Sequence, residues 1–207
     1  MFKYFAHVSM FATLLGCAGV ASAQTLTFQF TGTVTYTQDE TLAPVGSQIT
    51  GTFSYDEDTP AGITLPGYAA YQLPTSMSAT VNGHDITSDA LNVDVFDNTG
   101  GNIEDMVSIV GTTVMVDDAL YVDGSIGLSL ASAAGNTQAL SGTNLPTIYH
   151  LADFDSNANG QDVTYGVLRS SGAQDGLLLG FEIDSITGGH EPICTNKKGK
   201  PKKCKKH

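Results

Sequence analysis

Basic residues are almost missing from the 207-residue chain outside its two ends, and tryptophan is missing altogether. Lys3 stands near the start, seven lysines stand in the last eleven residues, and Arg169 is the only Lys or Arg between them. All 21 acidic residues lie between Asp39 and Glu191, so the body carries a net charge near −20. Such a body repels nucleic acids and attracts cations. Adaptation to a salty medium explains this charge as well as a specific acidic site does.

Helical periodicity is also missing from the body, which excludes a helical domain. Gly, Pro, Asn and Asp interrupt every long window before three helical turns could form. What is present is period-two alternation of apolar and polar residues, which predicts strands. Gly32 interrupts the first such segment and indicates a bend or bulge. The segment is predicted to place five apolar residues on one face: Leu26, Phe28, Phe30, Val34 and Tyr36.

Similar segments follow along the chain and imply about eight to ten short strands. Asn82-Gly83 predicts a β-hairpin, because this pair tolerates the positive φ angles of a type I′ turn. The dense apolar stretch from Val107 to Val116 predicts a strand buried on both faces. No linker interrupts the body, and 41% hydrophobic residues suffice for one core. The prediction is therefore a single all-β domain over residues 24–189, a β-sandwich with a jelly-roll-like arrangement.

The first 23 residues have the three parts of a secretory signal peptide. Lys3 supplies positive charge, Phe5 to Gly19 is mostly apolar, and Ala21-Ser22-Ala23 is a small-residue cleavage site. The mature chain is then expected to start at Gln24 and to be exported. Two alternatives stay open: an N-terminal membrane anchor, and a lipoprotein acylated at Cys17, because Leu14 to Cys17 resembles a lipobox.

Residues 190–207 form a lysine-rich tail with a cysteine pair. After leader cleavage Cys194 and Cys204 are the two cysteines left, and export predicts a disulfide between them. The reading as metal thiolates is weak, since lysines surround the pair. The loop between the cysteines is predicted to bind polyanions by releasing their counterions, through Lys197, Lys198, Lys200, Lys202 and Lys203. The alternative is a solvated tail that lies against the acidic body.

Two stretches carry a family resemblance: residues 30–34 (FTGTV) and residues 45–56 (VGSQITGTFSYD). They resemble the opening of secreted proteobacterial proteins of the PEP-CTERM-associated type, and residues 145–147, 151–154 and 183–187 fit the same pattern. The resemblance implies an exported β-sandwich with no known catalytic residues. The sorting tail of that group is not present, because Glu191-Pro192 leads to Cys194 and lysines instead of an apolar helix. Release, or retention by electrostatic attraction, is therefore expected.

Residues 153–162 (DFDSNANGQD) form the best local motif. Oxygen-bearing side chains at alternate positions, followed by Gly160, suit a loop wrapped round Ca²⁺. It is not an EF-hand, because Gly166 stands where the bidentate Glu would be. The alternative is an Asx-rich solvated turn. The predicted Ca²⁺ ligands are Asp153, Asp155, Asn157, Asn159 and Asp162. A second acidic cluster, from Asp94 to Asp105, is interpreted as exposed loop acids.

No pattern in the sequence predicts catalysis. Gly124-Ser125-Ile126-Gly127 lacks the leading glycine of a nucleophile elbow, and neither His84 nor His150 belongs to a metal-binding pattern. The prediction is an exported, non-enzymatic β-sandwich of the cell surface or extracellular matrix, with Ca²⁺ as a stabilising ion. The alternative is a carbohydrate-binding module or carbohydrate-active enzyme of jelly-roll type. A flat, Thr-covered face favours the first, and a concave face with aligned acids and aromatic residues favours the second.

Overall fold

The structure, a computed structural model, describes residues 24–99, 103–121, 123–133, 136–154, 164–171, 176–190, 194–195 and 201–202. Within these residues the regular structure is β, apart from the 3-10 turn at Leu151–Phe154 and the 3-10 conformation of Gly176. The strands, in chain order, are β1 (Thr25–Thr37), β2 (Gln48–Asp56), β3 (Ile63–Leu65), β4 (Tyr68–Leu73), β5 (Met77–Val81), β6 (His84–Phe96), β7 (Ile103–Val116), β8 (Ala119–Leu120), β9 (Ser125–Ala133), β10 (Tyr165–Arg169), β11 (Leu177–Gly188), β12 (Cys194–Thr195) and β13 (Pro201–Lys202). The prediction of an all-β body is confirmed.

Eight of the described strands close into one antiparallel barrel, which corrects the predicted β-sandwich of jelly-roll type. Their order around the barrel is β6-β5-β2-β1-β11-β10-β9-β7, and β7 pairs back with β6. The length of β6 makes closure possible. On one edge, its first residues pair with β5 and its last residues pair with β4. On the other edge, it pairs with β7. Alternation alone cannot separate the two folds, because a sandwich and a barrel both bury one face of each strand.

The barrel interior is a packed core built mainly from inward-facing aromatic and branched side chains. Phe28 stacks on Phe53 with ring centroids 5.0 Å apart, and Tyr149 meets Phe28 edge-on at 5.0 Å. Phe30 and Phe181 form a second stack at 6.1 Å. All five rings are almost fully buried. The interior is therefore filled by side chains, as expected for a small eight-stranded barrel.

Two expectations about individual strands are wrong. Tyr36, predicted to be on the inner face, is 44% exposed. Val34 pairs with Phe181 on β11, and Tyr36, two residues later, pairs with the next β11 residue, Gly180. The strand β1 therefore has one extra residue here, a β-bulge. Because Gly180 faces outward, Tyr36 does so too. The stretch from Val107 to Val116 is buried on its inner face only, and its outward side chains are half-buried or exposed.

The predicted turn at Asn82-Gly83 is confirmed as the β5–β6 hairpin, with φ of 49° and 83°. These values are those of the left-handed region that a type I′ turn requires. A register shift also lies next to Gly32, but the extra residue is Asp184 on β11, so the irregularity predicted in β1 lies in its partner strand.

Candidate functional site

The outer wall over β11, β1, β2 and β5 is covered by hydroxyl side chains that bond to one another across strands. Thr31 and Ser185 are 2.8 Å apart through their hydroxyl oxygens, and Thr52 and Ser78 are 3.0 Å apart. Further cross-strand bonds run from Ser54 to Thr27 and from Gln48 to Thr33. Cross-strand hydroxyl pairs of this kind stabilise a sheet. This wall has the Thr cover that was expected of a non-enzymatic surface, but it is not flat, because a concavity lies over Thr31, Thr52 and Ser78.

One end of the barrel is closed by the segment 136–154 through two buried tyrosines. The Tyr55 hydroxyl donates a hydrogen bond to the Pro146 carbonyl at 2.5 Å and lies 2.8 Å from the Tyr149 hydroxyl. Burial raises the pKa of both phenols, and the neighbouring Tyr149 raises the pKa of Tyr55 further. Both phenols therefore stay neutral and act as hydrogen-bonding groups that hold the segment on the core.

A concavity of about 510 Å³ lies beside this closure, between the β2–β3 connection, the β3–β4 hairpin and the segment 143–147. We call it the side pocket. Its floor contains Ala69, Tyr71 and Leu145. Its polar lining consists of two carboxylates, four hydroxyls and one amide: Glu57, Asp58, Thr59, Thr64, Thr143, Thr147 and Asn144. Sequence reasoning missed this site, because the lining comes from three separate segments and forms no motif.

His84 and Asp117 form a pair that resembles a catalytic dyad. His84 Nδ1 lies 2.6 Å from Asp117 Oδ2, but His84 Nε2 faces the carbonyl oxygen of Thr41 at 3.2 Å. A general base needs a free nitrogen at that position to take a proton from a nucleophile. Since both nitrogens face acceptors, the ring acts as a tether between the β5–β6 hairpin, the turn after β7 and the loop containing Thr41.

The His84 tether makes stability depend on pH. The hydrogen bond with Asp117 raises the pKa of His84, and Asp39 nearby adds to the increase. The stabilisation by the protonated His84 ring is fully present below the usual His pKa of about 6.5. It is lost as pH rises through the raised pKa of His84 in the folded protein. We therefore expect His84→Gln to lower the melting temperature most near pH 5–6 and least near pH 9. In the control, His150→Gln, the exposed ring has no carboxylate partner among the described residues. A His84→Gln deficit that does not vary with pH contradicts the assignment.

Asp105, interpreted from the sequence as an exposed loop acid, is fully buried. Its two carboxylate oxygens accept hydrogen bonds from the backbone N–H groups of Asn98 at 3.0 Å and Leu140 at 2.9 Å. Its own N–H donates to the Ser132 hydroxyl at 2.9 Å. Burial raises the pKa of Asp97, and the nearby carboxylate of Asp105 raises it further. Asp105 therefore joins the end of the β6–β7 hairpin to the segment that follows β9.

Of the predicted Ca²⁺ ligands, only Asp153 belongs to the described residues. Its carbonyl oxygen accepts a hydrogen bond from the Asn136 amide at 2.8 Å. Thr164 Oγ1 donates to the Phe154 carbonyl at 2.7 Å, so the two ends of the predicted loop are held together. Asp155, Asn157, Asn159 and Asp162 lie outside the described residues. Within the described ranges no three His, Cys, Asp or Glu side chains gather as metal ligands do.

The predicted disulfide and lysine loop lie mostly outside the described residues. In the described part, Cys194 pairs through its backbone with Lys202, and Thr195 pairs with Pro201. The chain therefore reverses direction between these short strands. Cys204 and the remaining predicted polyanion-binding residues, Lys197, Lys198, Lys200 and Lys203, are not described.

Comparisons with known proteins give no relative: no family model matches the chain, and no curated protein or solved structure matches it. In the part of the chain that the structure describes, no helix is long and apolar enough to cross a membrane. Conclusions about function therefore depend on the residues themselves.

Proposed function

We propose that this chain is an exported, non-enzymatic barrel protein that acts at the cell surface or in the extracellular matrix. The observation that carries the proposal is the outer wall, whose hydroxyls satisfy one another and surround a filled interior. The engagement of His84 Nε2 by a backbone carbonyl supports the same proposal. Export follows from the leader, and kinship with PEP-CTERM-associated secreted proteins, based on residues 30–56, is part of the proposal.

Fractionation of the producing cells tests this location. We expect the protein outside the cell membrane, in the medium or in a surface fraction that high salt releases, because a lysine-rich tail would hold it by charge. Recovery in the cytoplasm with the leader attached would contradict the proposal.

Ca²⁺ binding by the segment 153–162 is a further part of the proposal. The bond between Thr164 and Phe154 supports it, because a loop with joined ends loses less entropy when its oxygens gather round an ion. We expect Ca²⁺ to raise the melting temperature more than Mg²⁺ does at constant ionic strength, since the smaller ion resists dehydration. The double variant Asp155→Ala, Asn157→Ala should lose this difference. A Ca²⁺ response that survives both substitutions would place the ion elsewhere.

Polyanion binding by the tail is the last part of the proposal. A disulfide between Cys194 and Cys204 would gather five lysines into a compact loop, and the chain reversal between Thr195 and Pro201 supports this pairing. We expect binding to heparin to weaken steeply with added salt, and deletion of residues 194–207 to abolish it. The deletion should leave the melting temperature almost unchanged, because the loop is predicted to lie outside the core. A large loss of stability would show that the tail is part of the folded domain.

The alternative function, a carbohydrate-binding module, has one supporting observation. The side pocket gathers carboxylates, hydroxyls and an amide from three segments, and polar groups that converge in a pocket can orient a ligand.

A further inference from the structure

The side pocket has walls that are fixed before any ligand arrives. The Tyr71 hydroxyl donates to the Thr143 carbonyl at 2.8 Å, which attaches the segment 143–147 to β4. The N–H of Gly62 donates to the Ala70 carbonyl at 2.9 Å, which sets the position of the β2–β3 connection. The N–H of His190 donates to the Thr147 carbonyl at 2.9 Å. A ligand would therefore meet a pre-organised concavity and lose little binding energy to rearrangement.

The size and shape of the pocket suit a small ligand. Its volume of about 510 Å³ lies within the range of roughly 300–1,000 Å³ that is typical of ligand sites. It is closed below by Ala69, Tyr71 and Leu145, which are almost fully buried, so a ligand would contact mainly polar groups.

The polar groups of the lining favour a ligand that both donates and accepts hydrogen bonds. The hydroxyls of Thr59, Thr64, Thr143 and Thr147 can do both, and so can the Asn144 amide. An ammonium group alone only donates, so a lysine side chain would leave the donors of this lining unmatched. Sugar hydroxyls donate and accept, and they match the whole set.

The charge of the pocket selects among sugars. Glu57 and Asp58 contribute two carboxylates, and the Glu57 Oε2 atom has a histidine nitrogen, His190 Nε2, 3.6 Å away. No Lys or Arg lies among the lining residues, and Arg169 lines a different concavity, over β7, β9 and β10. A uronic acid would be repelled, whereas an amino group on the sugar would be attracted.

We infer that the side pocket binds a hexosamine unit of a polysaccharide, with the sugar hydroxyls at Thr64 and Asn144 and its ammonium group at Glu57 and Asp58. The inference joins the sugar binding of the alternative function to the proposed extracellular, non-enzymatic role, and it rests on that role. The sugar is bound without bond cleavage, as an attachment to a matrix polysaccharide.

The inference is tested by titration calorimetry in about 150 mM salt, which measures how tightly the full-length chain binds a β-1,4-linked glucosamine tetramer. This ionic strength screens the general attraction between an acidic body and a cation beyond roughly 8 Å. We expect the N-acetylated tetramer to bind at least tenfold more weakly and a galacturonate tetramer not to bind. Thr64→Phe, at an exposed position of β3, should fill the pocket and weaken glucosamine binding at least tenfold.

Two charge variants separate the pocket from the general charge of the body. Glu57→Gln should weaken glucosamine binding about fivefold or more, while Asp89→Asn, which removes an exposed acid outside the pocket, should change it less than twofold. Equal effects of the two variants, or no effect of Thr64→Phe, would overturn the inference. Tetralysine bound as tightly, with the same response to both pocket variants, would overturn the sugar assignment in favour of a cationic peptide.

An NMR spectrum of the tetramer after prolonged incubation separates this inference from the proposed function. An intact, bound tetramer supports both. A cleaved tetramer contradicts the non-enzymatic role and leaves the pocket as a sugar site. Absence of glucosamine binding contradicts the inference alone, since export and the tail are tested independently.

Discussion

Asp105→Ala should lower the free energy of unfolding by about 3 kcal/mol. The substitution leaves the N–H groups of Asn98 and Leu140 without their acceptor, and an unsatisfied donor away from water costs roughly 1–3 kcal/mol. Relief of the repulsion with Asp97 and of the burial of a charge offsets part of this loss. Urea unfolding, with the slope compared between variants, measures the change.

Two further variants make the Asp105 prediction specific. Asp105→Asn keeps one acceptor and should lose less stability than the alanine variant. Asp89→Ala removes an exposed acid and should change the free energy of unfolding by less than about 0.5 kcal/mol. If Asp105→Ala is as mild as Asp89→Ala, the carboxylate does not hold the two loops together.

Gly166→Ala should destabilise the barrel by about 3 kcal/mol or more, because there is no room for a methyl group. Gly166 faces the interior on β10, and a Cβ atom there would overlap three ring atoms of Phe181. Phe181 can move only by breaking its stack with Phe30. Overpacking of a core typically costs about 1–3 kcal/mol, and the aromatic stack adds to this. Thermal and urea unfolding both report the loss.

Gly127→Ala is the matched control, since Gly127 lies on the neighbouring strand but faces outward. An added Cβ there would make only ordinary contacts, the nearest at 3.5 Å from the Ile109 carbonyl. Reduced freedom of the unfolded chain should make this variant neutral or more stable by up to about 1 kcal/mol. If Gly166→Ala unfolds like Gly127→Ala, Phe181 does not occupy the space that the structure assigns to it.

Much of the strand structure could be predicted from local pattern. The alternation from Leu26 to Val34 identified the inward face of β1, and Asn82-Gly83 identified a hairpin. Both are local properties, because each strand residue points to one side of the sheet or the other and a turn depends on its own residues.

The features that were not predicted depend on distant residues. Closure of the barrel rests on pairing of β6 with β7 along almost their full length, which no local window contains. Tyr36 faces outward because of a register shift relative to β11, far away in the sequence. Asp105 is buried because Asn98 and Leu140 both bond to it, whereas its sequence context predicts a loop acid.

The candidate sites divide in the same way. The segment 153–162 and the lysine-rich tail are contiguous motifs, so the sequence predicts them directly. The side pocket joins Glu57, Thr64 and Asn144 from three segments, and threonine is too common in this chain to stand out. Only the fold brings these residues together.

Intact-mass measurement of the protein recovered from outside the cell tests the central claim, export as a barrel with a free, disulfide-closed tail. The account predicts a chain that begins at Gln24 and is two hydrogen atoms lighter than its reduced form, through a bond between Cys194 and Cys204. A lipid-bearing chain that begins at Cys17, or an uncleaved chain found only inside the cell, would contradict it.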